Sequence, residues 1–274
     1  MQIQQITEAD LEPIIRDHPG NCAFAEALER VGSPEELVRV LGRYTFFNAT
    51  FGAGIASLAA KIGTRVDMFR DPKEPVALLS DRSMEIAADF FVAAVDEFDD
   101  RATVHKDTHR ALAQATLRAT LEFFQFTPER ANQFATINDT TRKAVVAVHK
   151  GYGVGHLLTD ADIFQAIGFH IGSEVLAQGE RHHLDQCLQD RFPELAAHLE
   201  NATVFVEGEG HAAYCWVRTH HTQEGFFAVA LSGANRALQF YVGNLTPKEA
   251  KEQILAGVRE FGSLQESFMA AIDQ

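Results

Sequence analysis

The stretch 214–241, YCWVRTHHTQEGFFAVALSGANRALQFY, places His220 and Glu224 four residues apart within a run of apolar residues. Trp216, Val217, Phe226, Phe227, Val229, Ala230, Leu231, Ala234 and Leu238 recur at helical spacing, so the run predicts a helix with one face against protein. Residues four apart share a helical face. An ionisable pair on a buried face costs free energy unless something satisfies it. Two further segments repeat the arrangement. Residues 163–179 carry His170 and Glu174, and a third segment carries Asp96 and Glu97 ahead of His105 and His109. Helices that each turn carboxylates and imidazoles inward predict a metal site inside an α-helical bundle. The plainer reading of each pair is a hydrogen-bonded couple that holds two helices in register.

A chain of 274 residues with 46% hydrophobic content can bury a sizeable core, and nothing in it forces a division, so one domain over 1–274 is expected. The formal net charge of −14 repels phosphate backbones and anionic lipid, which disfavours nucleic acid and membrane surfaces as partners. A small molecule or a protein partner fits better. The apolar run near Phe51 is broken by Gly and Ser, and MQIQQITEADLEP lacks the basic and apolar regions of a signal peptide, so a cytoplasmic protein is expected. Cys22, Cys187 and Cys215 share no CxxC spacing and read as reduced, mostly buried thiols.

Along the chain, Thr7 to Asp10 has the form of a helix start, and Ser33-Pro34-Glu35-Glu36 caps a long helix toward Lys61, with a kink or close crossing at Gly52-Ala-Gly54. A helix over 81–99 ends with Asp96 and Glu97. The next is capped at Asp107-Thr108 with His109 in its first turn, and another covers 128–150. Asp160 or Asp162 caps the helix of His170 and Glu174, which is expected to turn at Gly179. A brief β-like run over 202–206 precedes the 214–241 helix, and Thr246-Pro247 opens the last one. The fold class is all-α, a bundle of seven or eight helices. His182, His183, His198 and His211 lie in polar surroundings and read as surface residues.

The order of these elements resembles the heme-oxygenase-like superfamily, which includes thiaminase II, pyrroloquinoline-quinone synthase and non-heme diiron oxidases and oxygenases. The resemblance covers nearly the whole chain and is carried by three places. Asp96-Glu97 followed by His109-Arg-Ala-Leu112 is similar to a carboxylate-then-histidine element, and Ile167-Gly168-Phe-His-Ile-Gly-Ser-Glu174 to a glutamate after a small-residue turn of helix. His220-His-Thr-Gln-Glu224-Gly-Phe-Phe227 resembles an H-x-x-x-D-x-x-H element, with glutamate in place of aspartate and Phe227 in place of the last histidine.

The resemblance implies a heme-oxygenase-like bundle with one or two iron ions held by Glu97, His109, Glu174, His220 and Glu224. His105, His170 and His221 are further ligands in reserve, since Phe227 leaves one imidazole missing. The implied activity is an oxidase or oxygenase that uses O2 on a small amine, amino acid or fatty-acid-like substrate. Phe47, Phe51, Phe90 and Phe227 would wall the substrate pocket, and a homodimer is common for such bundles. A metal-free enzyme or small-molecule-binding protein of the thiaminase II or quinone-synthase type is the alternative on the same fold. A non-enzymatic helical protein that assembles through its acidic surface is a third.

Overall fold

The computed structural model describes residues 4–71, 73, 81–99, 107–206, 208–219 and 225–274. The expected all-α architecture is found, cut into more and shorter pieces than seven or eight. The helices are α1 Glu8–Ile15, α2 Pro19–Arg30, α3 Pro34–Asn48, α4 Phe51–Gly63, α5 Asp81–Phe98, α6 His109–Phe123, α7 Pro128–Phe134, α8 Asp139–Gly151, α9 Asp160–Arg191, α10 Pro193–Asn201, α11 Cys215–Thr219, α12 Gly225–Phe240 and α13 Pro247–Met269. A hairpin of β1 Thr203–Val206 and β2 Glu209–Ala212 pairs antiparallel, with Thr203 opposite Ala212 and Val206 opposite Glu209. Among the described residues no helix is long and apolar enough to cross a membrane.

Helix starts follow local chemistry. Ser33 and Glu36, Thr159 and Asp162, and Thr246 and Glu249 each form a reciprocal capping box, which satisfies amide donors that have no partner inside the helix. The cap of α9 is therefore Thr159, and Asp162 is its third-residue partner. The expected long helix over 33–61 divides at Ala49-Thr50 into α3 and α4, and the expected helix over 128–150 divides into α7 and α8.

Helix α9 is the axis. At 32 residues it is about 48 Å long, and α2, α4, α8, α10, α11, α12 and α13 all pack on it. It does not turn at Gly179. A glycine ends a helix only where the chain needs a left-handed residue; Gly179 is helical, and its missing Cβ makes room for the Asn21 side chain of α2. The broadest interface is that of α9 with α13. Gly168 lies against the Ile254 carbonyl of α13, and Gly257 lies against the Gln165 carbonyl of α9, so the two backbones approach as closely as they can.

The core is aromatic. Phe24, Tyr44 and Trp216 form a chain of tilted rings, and Phe47 stacks on Phe268 at 4.2 Å. Cys187 is buried, Cys215 half-buried and Cys22 exposed, and none is in a disulfide, so burial of the cysteines is less general than expected.

Candidate metal centre

Three helices bring four of the side chains named from the sequence, Asp96, Glu97, His109 and Glu174, to one cavity. Asp96 and Glu97 end α5, whose last turns cross α4. A Cβ on Gly52 would stand 2.9 Å from the Glu97 Cβ, so only glycine on α4 leaves this approach open. Thr108 caps α6 by accepting a hydrogen bond from the Ala111 amide at 3.0 Å, which places His109 in the first turn with its ring turned inward, 7% exposed. Glu174 and His170 share a face of α9, as their spacing requires.

His109 sits between two carboxylates. Its Nε2 is 3.3 Å from Asp96 Oδ2 and its Nδ1 is 3.1 Å from Glu97 Oε1. A cavity of about 50 Å3 opens between them, lined also by Glu174, Glu180, Arg181 and Phe51. That volume suits an ion with a few waters. A smaller void shares Asn48, Glu97, His109 and Arg181 and adjoins it.

Burial governs the titration of the α9 pair. Loss of hydration pushes the Glu174 carboxyl up to about 7, and the charge of Glu97 adds to the rise while Arg181 opposes it. Burial likewise holds His170 down to about 4, so its ring is neutral at neutral pH. The 3.7 Å approach of His170 Nδ1 to Glu174 is therefore no ion pair. Tyr152 stands beside them, its hydroxyl 2.9 Å from Ser173 Oγ and 3.3 Å from His170 Nδ1, and a glycine at position 54 makes room for its ring.

A carboxyl whose pKa rises on folding loses stability as pH climbs from its unfolded value, 4.5, through its folded value near 7. Glu174→Gln removes this loss. In metal-free buffer the variant should gain on wild type by up to about 3 kcal/mol between pH 4.5 and about pH 8, at about 1.4 kcal/mol per pKa unit. Urea melts at the two pH values check it, and a constant difference would show that Glu174 is ordinarily solvated. His170 works in the opposite sense, with stability lost as pH falls from 6.5 toward 4.

Of the other residues singled out by sequence, His105, His220, His221 and Glu224 lie outside the described residues. Among the four phenylalanines, Phe51 lines the cavity. Phe47 stacks in the core, Phe90 packs edge-on against His170 at 5.7 Å, and Phe227 lies half-buried against the core. Sequence reasoning missed Glu180 and Arg181, because both follow the turn expected at Gly179. Glu180 is 2% exposed and accepts from Tyr44 Oη at 2.8 Å and Gln265 Nε2 at 2.6 Å.

His211 is a correction. It is 3% exposed, not a surface residue, because the β-hairpin folds it against Asp107 at the start of α6. Asp107, Glu209 and His211 each offer a ligand atom within 4.8 Å of the others; among the described residues no other three such side chains converge so closely.

The fold and the cavity together define an α-helical bundle with an acidic, histidine-bearing interior. Along 97% of its length the chain superposes on 95% of a CadD-like protein of unknown function from Nostoc punctiforme, with a TM-score of 0.61 and 13% identity, a likeness of fold. No family model matches the chain, and no curated protein matches it in sequence.

Proposed function

We propose that the chain belongs to the heme-oxygenase-like superfamily and is an iron-dependent oxidase or oxygenase that uses O2 on a small amine, amino acid or fatty-acid-like substrate. The observation that carries this reading is the convergence of Asp96, Glu97, His109 and Glu174, from three helices, on one buried cavity. The donor set fits iron. Carboxylates and imidazole are the ligands that hold this metal in both common oxidation states, and the concentration of carboxylates calls for a cation. Glu97, His109 and Glu174 would hold one or two ions, with His220 and Glu224 as further ligands. Bound iron supplies the redox chemistry that O2 requires.

The chain's own groups supply the rest. Glu174, whose carboxyl burial raises to about 7 in the metal-free protein, would give up its proton when an ion binds, so loading of the centre would be favoured as pH rises. Neutral His170 keeps an imidazole lone pair available beside it. Phe51 and Phe261 on the cavity wall exclude bulk water. Arg181 offsets part of the negative charge and gives a substrate carboxylate a partner. The net charge of −14 supports a small-molecule partner in place of nucleic acid or membrane.

One observation favours the metal-free alternative of the thiaminase II or quinone-synthase type. His109 already has a carboxylate within 3.3 Å of each ring nitrogen, so the three groups are in contact without a metal between them. Anaerobic reconstitution with Fe(II) followed by elemental analysis separates the two readings. Iron that stays bound through gel filtration in wild type and is lost from Glu174→Gln supports the oxygenase, and a bundle that holds no iron leaves the same polar groups to contact a ligand directly.

A further inference from the structure

A second cluster of ligating side chains lies outside the bundle interior. Asp107 immediately precedes the cap of α6, and Glu209 and His211 alternate on β2 so that both turn toward it. The hairpin is fastened to α6 along its length: Arg118 Nη1 donates to the Phe205 carbonyl at 2.8 Å, and Thr116 Oγ1 donates to the Ala213 carbonyl. Asp107 and His211 meet at the other end of this contact.

The geometry there is unlike that of a simple His–Asp pair. His211 Nδ1 is 2.8 Å from Asp107 Oδ1, yet this buried nitrogen makes no hydrogen bond. A ring nitrogen at that distance fails to hydrogen-bond only when its lone pair or N–H points elsewhere. A nitrogen and an oxygen so placed can both lie about 2.0–2.2 Å from a single ion, the usual reach of imidazole and carboxylate ligands to zinc. Glu209, exposed at the rim, supplies a third donor, and the groove beside it leaves coordination positions open to water. Arg110 lines the same groove, so an ion must compete with its guanidinium for Glu209.

We propose that Asp107, Glu209 and His211 form a divalent transition-metal site, best suited to Zn2+, that clamps the β-hairpin onto the start of α6. The site is separate from the bundle cavity and does not depend on the function proposed for it. Two carboxylates and an imidazole suit a borderline metal better than Ca2+ or Mg2+, which prefer all-oxygen shells.

The test uses the full chain, stripped with chelator and titrated with Zn2+ alone. Wild type, Glu209→Ala and His211→Ala are compared with Glu174→Gln, which alters only the bundle cavity. One zinc equivalent should persist in Glu174→Gln and be lost, or weakened at least tenfold, in Glu209→Ala and His211→Ala. Glu209 is exposed, so its alanine variant keeps the fold even where His211→Ala does not. Zinc should also slow amide exchange in β1 and β2 of wild type and leave it unchanged in Glu209→Ala. Equal zinc stoichiometry and affinity in wild type and Glu209→Ala, or no zinc bound by either, would overturn the site.

Discussion

Gly168→Ala should destabilise the protein by at least about 3 kcal/mol or prevent folding, the upper end of what overpacking costs. In an exposed helix the same change stabilises by up to about 1 kcal/mol, because alanine is the better helix former. Here the new methyl group would fall on the Ile254 carbonyl of α13, far inside van der Waals contact. Neither backbone can yield. The Ile254 carbonyl belongs to a helix whose own face is buried through Val258 and Phe261, and Gly257 presses reciprocally on the Gln165 carbonyl. The helices would have to separate along their whole interface, exposing apolar surface on both. Gly32→Ala is the control, since its methyl would meet only the Glu36 carboxylate at 3.7 Å and should be nearly neutral. Thermal or urea unfolding of the two variants decides it. A Gly168→Ala protein within about 1 kcal/mol of wild type would mean that α9 and α13 are not held at backbone contact.

The glycines of that interface show where sequence reading stops. Capped helix starts such as Ser33-Pro34-Glu35-Glu36 and Thr246-Pro247-Lys-Glu249 were legible because the whole interaction lies within four residues. The carboxylate and histidine elements of α5, α6 and α9 were legible for a related reason: their spacing on each helix places them on one face, and buried faces meet. Gly179 misled because the residue type signals a turn while its actual role is contact with Asn21, which sits far away in the chain. His211 was hidden in the same way. Its neighbours in sequence are polar, and what buries it is a hairpin laid over α6, with Asp107 about a hundred residues distant. The division of 33–61 at Ala49-Thr50 escaped because the break has no proline or glycine of its own, and the Gly52 and Gly54 beside it serve close packing against Glu97 and Tyr152. Local rules found helices and their faces, whereas contacts set by long-range packing required the folded chain.

Glu174→Gln should remove most of the stabilisation that iron gives. In the metal-free protein above pH 7 the substitution removes a buried charge, so the variant is expected to melt above wild type. With Fe(II) present the order should invert. A ligand that binds only the folded state stabilises by about 4.1 kcal/mol at a thousandfold excess over its Kd, more than the roughly 3 kcal/mol advantage of the metal-free variant and, for a chain of this size, a rise in Tm of several degrees. Wild type should show that rise. Glu174→Gln keeps the size and packing of the side chain but offers the metal a neutral amide, so its iron-induced shift should fall to a small fraction of the wild-type value. The comparison separates a ligand from a residue that merely supports the core, because a supporting residue would lower both melting temperatures and leave the shift intact. Equal iron-induced shifts in the two proteins would remove Glu174 from the centre. A wild type that shows no shift at all would leave the cavity to the metal-free reading, with His109 held between Asp96 and Glu97 as its working group.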